Sequence, residues 1–475
     1  MQAMKAIRDK VSRHLLVVCI LGLGIISSLI TGCSVTGETE AIPEKTLPTT
    51  ESALTETEVT SSTPETSVPA TDSPTSTSAQ PAPEVEETKV MPTPTAIGER
   101  NYIVVDTGQV ECYDNSRIIS CPDHEMPFYG QDAQIQGIQP AYEDNGDGSI
   151  TDLNTGLMWQ KDPGEKMTYE EAVANASSFN LAGYDDWRLP NIKELYSLIL
   201  FSGTDPPPER VVKNAVPFID TDYFDFEYGD TGAGERIIDA QYWSAMEYVS
   251  TTMNSAATIF GVNFADGRIK GYPRDIGRRR GPVTKFVRYV RGNPDYGINL
   301  FTNNGDGTIT DDATGLMWAR DDSGEGMDWE STLAWVQEKN RENYLGYTDW
   351  RLPNAKELQS IVDYTRSRRT TDSAAIAPIF NTTAIIDERG ETNYPFYWTG
   401  TTHVNALLGG SSAVYVSFGE ALGFMFNSWI DVHGAGAQRS DPKSGNPNDY
   451  PLGRGPQGDA IRIYNYVRCV RNVGG

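Results

Sequence analysis

Asp186-Trp187-Arg188-Leu189-Pro190-Asn191-Ile192-Lys193-Glu194-Leu195 returns downstream as Asp349-Trp350-Arg351-Leu352-Pro353-Asn354-Ala355-Lys356-Glu357-Leu358. In each, Pro ends an extended segment and Asn can cap the helix that follows, with Glu three residues on to reciprocate. Ile192, Leu195, Leu198 and Ile199 then fall on one helical face. Trp and Leu read as core. Arg188 and Arg351, set beside an indole, read either as ligand groups or as internal partners of Asp186 or a backbone carbonyl, and the second reading is preferred.

The match extends outward on both sides in the same order. Asn145-Gly146-Asp147-Gly148-Ser149-Ile150-Thr151-Asp152 answers to Asn304-Gly305-Asp306-Gly307-Thr308-Ile309-Thr310-Asp311, and Thr155-Gly156-Leu157-Met158-Trp159 to Thr314-Gly315-Leu316-Met317-Trp318. Further on, Tyr242-Trp243-Ser244 answers to Tyr397-Trp398-Thr399, and Phe286-Val287-Arg288-Tyr289-Val290-Arg291 to Tyr466-Val467-Arg468-Cys469-Val470-Arg471. A repeat of this length is a whole domain, not a solenoid unit. The boundary is placed in Gly292-Asn293-Pro294-Asp295-Tyr296-Gly297, giving domains 99–293 and 294–475, each expected to carry its own core.

Within a copy, Asn-Gly-Asp-Gly reads as a hairpin turn feeding a buried strand. Its alternative is a calcium loop, but Glu143 and Asn154 in one copy, Thr302 and Ala313 in the other, fill the outer positions, so the bidentate carboxylate is missing. Thr168 with Glu171 opens a helix reaching about Phe179, and Asp328 starts its equivalent. Short strands follow, such as Ile259 to Phe264 and Val414 to Phe418, and each copy closes with Val-Arg-x-Val-Arg. The fold class is α+β.

The front of the chain reads differently. Lys5, Arg8, Lys10 and Arg13 precede an apolar run from Leu15 to Ile30 that stops at Thr31-Gly32-Cys33. This is the pattern of a lipoprotein signal peptide, residues 1–32, with Cys33 the lipidated residue. The alternative, a spanning anchor, needs about 20 apolar residues. Residues 33–98, rich in Thr, Ser, Pro and Glu, cannot bury enough apolar area to fold and read as a disordered stalk. The expected location is therefore the cell envelope, outer membrane or outer cell surface, with the membrane a partner through the lipid.

The chain carries a formal charge of −26, and removal of residues 1–32, with four Lys/Arg and one Asp, leaves −29. Nucleic acid is not an expected partner. Cys112 and Cys121 flank the turn-like Asp114-Asn115-Ser116 and are expected to form a disulfide, which an exported compartment permits. Cys469 reads as a buried structural thiol. No zinc motif or catalytic triad is visible, so neither metal nor cofactor is expected, nor an enzyme.

Taken together, the Asn-Gly-Asp-Gly, Thr-Gly-Leu-Met-Trp, Asp-Trp-Arg-Leu-Pro-Asn-x-Lys-Glu-Leu, Tyr-Trp and Val-Arg-x-Val-Arg motifs resemble, twice over, the C-terminal domain family of the Legionella collagen-like protein. The resemblance covers roughly residues 100 to 475. It implies a C-type-lectin-like fold in each copy, with two helices against a mostly antiparallel sheet whose first and last strands pair. It also implies surface adhesion through sulfated polysaccharide. Formylglycine-generating enzymes have a related fold but rely on paired cysteines, which Cys469 lacks.

One basic stretch stands out of the acidic background: Arg268, Lys270, Arg274, Arg278, Arg279, Arg280, Lys285, Arg288 and Arg291. Lys270, Arg274, Arg278, Arg279 and Arg280, with Tyr272 to stack on a sugar ring, form the candidate ligand-binding patch for an extracellular polysaccharide or host matrix glycan. The alternative is a solvated loop beside a strand that exposes Arg288 and Arg291. Arg366, Arg368 and Arg369 form a smaller cluster in the second copy. The function expected is non-enzymatic binding or adhesion. An exported enzyme of the formylglycine-generating kind, or a structural envelope protein that binds another protein, are the alternatives.

Overall fold

Strand alternation around the repeated Tyr-Trp pair shows how the two copies are built into one body. In the computed structural model, which describes residues 100–210, 212–275 and 282–474, Tyr242 and Tyr397 face a core shared by both copies. Trp243 and Trp398, one residue on and so on the other side of the sheet, face separate cores belonging to one copy each. Cys33, the signal-peptide and stalk readings, and Arg278, Arg279 and Arg280 lie outside the described residues.

The chain enters with a small hairpin, β1 (Cys112–Tyr113) and β2 (Ile118–Ile119). The first copy opens with β3 (Tyr142–Asp144), β4 (Ser149–Asp152) and β5 (Leu157–Gln160). Gly146 and Gly148, at φ +73° and +90°, make the β3–β4 turn that residues with a Cβ strain to adopt. Asn145 Nδ2 donates to Ser149 Oγ and Thr151 Oγ1, and Asp147 Oδ1 accepts from the Ser149 amide. These oxygens and nitrogens therefore serve the hairpin. Helices α1 (Tyr169–Ala176) and α2 (Ile192–Ser197) follow, each with the reciprocal cap its sequence spells, Thr168 with Glu171 and Asn191 with Glu194. The first stops short of Phe179.

Three long strands come next, β6 (Gln241–Thr252), β7 (Ala256–Asn263) and β8 (Arg268–Pro273), and β9 (Val290–Gly292) ends the copy. The second copy repeats the order with β10 (Phe301–Asn303), β11 (Thr308–Asp311), β12 (Leu316–Ala319), α3 (Trp329–Arg341) and α4 (Ala355–Ser360). Two short strands, β13 (Ile385–Ile386) and β14 (Thr392–Asn393), precede β15 (Phe396–Asn405) and β16 (Gly409–Ser417). The hairpin β17 (Leu422–Met425) and β18 (Ser428–Asp431), then β19 (Gln438–Pro442) and β20 (Val470–Asn472), complete it.

Each copy closes one four-stranded antiparallel sheet, β3-β4-β5-β9 and β10-β11-β12-β20. The last strand pairs with the third, Trp159 opposite Val290 and Trp318 opposite Val470, and not with the first as the resemblance implied.

The long strands join in a single six-stranded sheet, β15-β16-β19-β8-β7-β6. Its order is palindromic because each copy contributes a three-stranded meander and the third strands meet. Tyr242 pairs with Val262 and Val262 with Ile269; Tyr397 pairs with Val416 and Val416 with Gln438; Ile269 and Gln438 pair across the seam. A local two-fold axis thus passes through the Ile269–Gln438 pair, as in an isologous dimer interface.

The expectation of one separate core per copy is therefore corrected. One face of the long sheet buries Phe260, Val262 and Ile269 together with Val414, Val416 and Phe418 in a common core. The other face divides, with Ile259 and Tyr272 in the first copy's own cluster and Ala413 and Tyr415 in the second's. A sheet cut at β8 leaves half of the common core in water, which is why the halves close on each other. The described residues all fall within one compact unit, Val90–Gly475.

The segments before each copy cross over. Ahead of the first copy, Lys356 Nζ of α4 holds the Asp106 carbonyl at 2.8 Å, and Gln109 exchanges two hydrogen bonds with Thr402 of β15. Ahead of the second copy, Lys193 Nζ of α2 holds the Gly297 carbonyl at 3.0 Å. Lys193 and Lys356 are the same lysine of the repeated motif. Cys112 and Cys121 are bonded, S–S 2.00 Å, in the hairpin that packs Tyr113 over Gly410 of the second copy, where a Cβ would meet the ring at 2.2 Å.

Candidate functional site

The basic stretch does not assemble into an exposed patch among the described residues. Lys270 and Tyr272 are 8% and 7% exposed, because β8 lies in the middle of the long sheet and not at its edge. Arg274 pairs with Glu170 and Glu247 and covers the Tyr169 ring. Lys285 donates to Gln241 Oε1 and lies over the Tyr272 ring, centroid 4.3 Å. Arg291 pairs with Asp186. Arg288, expected on an exposed strand face, is wholly buried and donates to the carbonyls of Gln160, Lys161 and Asp225. In the second copy, Arg368 and Arg369 are tied to Glu420.

The repeated Asp-Trp-Arg-Leu-Pro motif is also structural, although its arginine takes a partner other than Asp186. Arg188 forms a fork with Glu194, Nη1 to Oε2 at 2.7 Å and Nη2 to Oε1 at 2.5 Å, and Arg351 repeats it with Glu357. The glutamate that reciprocates the helix cap thereby anchors the strand before it. Cys469 is buried, and that burial pushes its thiol up to about 12, away from nucleophilic use.

What the fold does bring together is a polar cleft of about 240 Å³ at the seam of the long sheet, lined by both copies. β8 supplies Arg268 and Lys270, β19 supplies Arg439 and Asp441, and loops add Asp205, Arg236, Asp266, Arg454 and Asp459. The pairings explain the geometry. Lys270 is adjacent to Ile269 and stands opposite Gly261; Arg439 is adjacent to Gln438 and stands opposite Tyr415. Lys270 and Arg439 are therefore equivalents under the local two-fold, diagonal to one another on the same face.

Most charges in the cleft are paired. Arg268 bonds Asp205 at 2.9 Å and Asp266 at 3.3 Å. Asp459 accepts from Arg439 Nη2 and from His433 Nε2, and the Arg439 charge with the His433 hydrogen bond holds its carboxyl far below the usual range against the opposing effect of burial. Asp441 Oδ2 accepts from the amides of Arg462 and Ile463, while burial pushes its carboxyl up to about 6. His403 donates from Nε2 to the Asp266 carbonyl at 2.8 Å and stacks on Phe218; burial lowers it to about 3, so it is neutral.

Of the residues lining the cleft, three have a buried side-chain atom without a partner among the described residues, and the Lys270 ammonium has no hydrogen-bonded acceptor there. Lys270 Nζ has no hydrogen-bonded acceptor, only the Tyr272 ring at 5.6 Å, and burial lowers it to about 8. Arg439 Nη1, Asp266 Oδ1 and Asp441 Oδ1 are buried without a partner. Buried polar groups are normally paired. Unpaired donors on both sides of a two-fold seam, in a concave polar site, are what a bound anion or carbonyl oxygen needs.

Lys270 is legible in the sequence as a candidate; Arg439, Asp441, Asp459 and His403 are not, since no repeated motif or run of like charge marks them. The signal lies in the repeat itself, because the third long strand of each copy places a cation one residue beyond the seam pair.

Comparison with known proteins adds one family. The model described as the Lcl C-terminal domain matches residues 148–291 and 307–429, two segments that together make up more than half of the chain. No curated protein matches, and no solved structure does.

Proposed function

The chain belongs to the Lcl C-terminal domain family, and from that premise we propose that it is a non-enzymatic bacterial surface lipoprotein, anchored through Cys33, which binds an extracellular polysaccharide. The stalk of residues 33–98 spaces the paired domains from the membrane, and each domain is read as C-type-lectin-like, two helices against antiparallel strands. The observation that carries the binding role is the seam cleft, lined by both the Arg439 guanidinium and the Lys270 ammonium, which has a ring contact and no hydrogen-bonded acceptor among the described residues. An acidic protein that binds acidic chains needs its cations concentrated at one place, and a recessed site focuses their field. An oxidative role of the formylglycine-generating kind draws no support from Cys469, which is buried and has no second thiol beside it among the described residues.

Two measurements test the reading. The full-length chain in detergent is applied to an array of acidic and neutral glycans at low salt, beside a Lys270→Met/Arg439→Met variant. Retention on acidic glycans that the variant loses supports it, and absence of retention on every glycan contradicts it. Metabolic labelling with an alkyne fatty acid tests the anchor: label is expected on the wild-type chain and lost in Cys33→Ser.

A further inference from the structure

Resting on that reading, we infer that the seam cleft takes a single sugar acid, a hexuronate-type ring with its carboxylate at Lys270, and not a run of sulfated chain.

Charge balance is the first reason. Beside the cations, the carboxylates of Asp205, Asp266, Asp441 and Asp459 line the same space. A sulfated segment brings several negative charges against them, whereas one carboxylate meets the one ammonium that has no acceptor. Hydrogen-bond balance is the second. The walls carry carboxylates as well as cations, with Asp205 and Asp459 beside Arg236, Arg439 and Arg454. Sugar hydroxyls supply donors to such carboxylates while accepting from a guanidinium; sulfate esters supply none.

Size is the third reason. About 240 Å³ lies below the roughly 300–1,000 Å³ of sites for drug-sized ligands, and suits one ring. Arg454, Gly455, Pro456 and Leu408 at the mouth are exposed, so a chain attached to that ring has a way out. The site is also a product of the duplication, because Lys270 and Arg439 come from different copies and neither copy alone builds it.

Lys270 has a titration that reports occupancy. Burial lowers its ammonium to about 8, with Arg439, Arg268 and Lys285 opposing its charge and Asp266 and Asp459 favouring it. A carboxylate at Nζ favours the charged form, so binding near pH 8.5 draws a proton from buffer.

The test is calorimetry on the full-length chain in detergent with D-galacturonate and D-glucuronate, their methyl esters, glucose, and a heparin-derived tetrasaccharide. A uronate is expected to bind at least 30-fold more tightly than its ester or glucose, with proton uptake at pH 8.5 that depends on buffer ionisation enthalpy. Lys270→Met is expected to abolish the uptake and weaken binding at least 30-fold, while Lys270→Arg retains part of the affinity. Circular dichroism melting of Lys270→Met, which removes a buried charge, is expected to show no loss of stability. Tetrasaccharide binding without uronate binding overturns this inference and leaves the broader reading standing. Uronate binding that survives both Lys270→Met and Arg439→Met overturns it too. Binding of no sugar at all, acidic or neutral, overturns both.

Discussion

Arg288→Met isolates the interaction that ties the last strand of the first copy to its neighbours. The Arg288 side chain is 0% exposed. Its Nη1 donates to the carbonyls of Gln160, at 2.6 Å, and Lys161, and its Nη2 to that of Asp225 at 2.7 Å. Its carbon stem and guanidinium lie between the Phe224 and Tyr242 rings, 5.0 and 5.6 Å from their centroids. Methionine keeps most of the stem packing but leaves the part-buried carbonyls of Gln160 and Asp225 without a donor, each worth about 1–3 kcal/mol, while that of Lys161 keeps the Asp225 amide. Against this, removal of a buried cation returns part of its desolvation cost. The net destabilisation expected is about 3 kcal/mol. Arg291→Met removes a pair with Asp186, whose side chain is largely exposed, and a contact over the exposed Tyr184 ring, and is expected to cost about 1 kcal/mol. Arg288→Lys, with donors but no planar fork, is expected to fall between the two. Urea denaturation followed by tryptophan fluorescence measures all three. An Arg288→Met midpoint equal to that of Arg291→Met refutes the reasoning.

Three further outcomes follow from buried groups elsewhere. Asp132 Oδ2 accepts from Thr107 and Thr401, at 2.7 and 2.6 Å, and burial pushes its carboxyl up to about 7. A raised carboxyl contributes its full stability below the unfolded value near 4, and that contribution is lost as pH rises through 7; Asp132→Asn is expected to remove up to about 4 kcal/mol of this pH-dependent decline, read as the difference between two stability curves from pH 4.5 to 7.5. Cys112→Ser/Cys121→Ser opens a loop of ten residues and is expected to cost about 2.5 kcal/mol, with earlier proteolytic cleavage between residues 110 and 125. Arg468 in the second copy donates to Ala319, Arg320 and Asn381 carbonyls as Arg288 does in the first, so Arg468→Met is expected to match Arg288→Met within about 1 kcal/mol.

Local chemistry was readable and long-range assembly was not. Thr168, Asn191, Asp328 and Asn354 cap the helices their sequences announce, because a cap depends on residues three apart. The Asn-Gly-Asp-Gly turns and the buried Trp187 and Trp350 follow from equally short patterns. The long sheet depends on one meeting of strands, Ile269 with Gln438, and no motif marks it. The crossed segments before each copy were hidden for the same reason: Asp106 and Gly297 offer backbone carbonyls, which have no sequence signature. Arg288 is a different case. Arg288 and Arg291 are three apart in an extended chain, so a period of two sends them to opposite sides, and one of them had to point inward. Of the basic stretch, Lys270, Lys285 and Arg288 are buried, and a count of charges without this alternation does not show it. Lys270, from the same stretch, lines a cleft with Arg439 of the other copy.

The duplication forms one sheet with a seam at β8 and β19. Hydrogen exchange resolved to single amides tests it most directly, at Gly271, whose N–H donates to the His433 carbonyl of the second copy at 2.7 Å. The Gly271 amide is expected to exchange as slowly as those of β7 in the sheet interior. Exchange at the rate of an uncovered strand edge would contradict it.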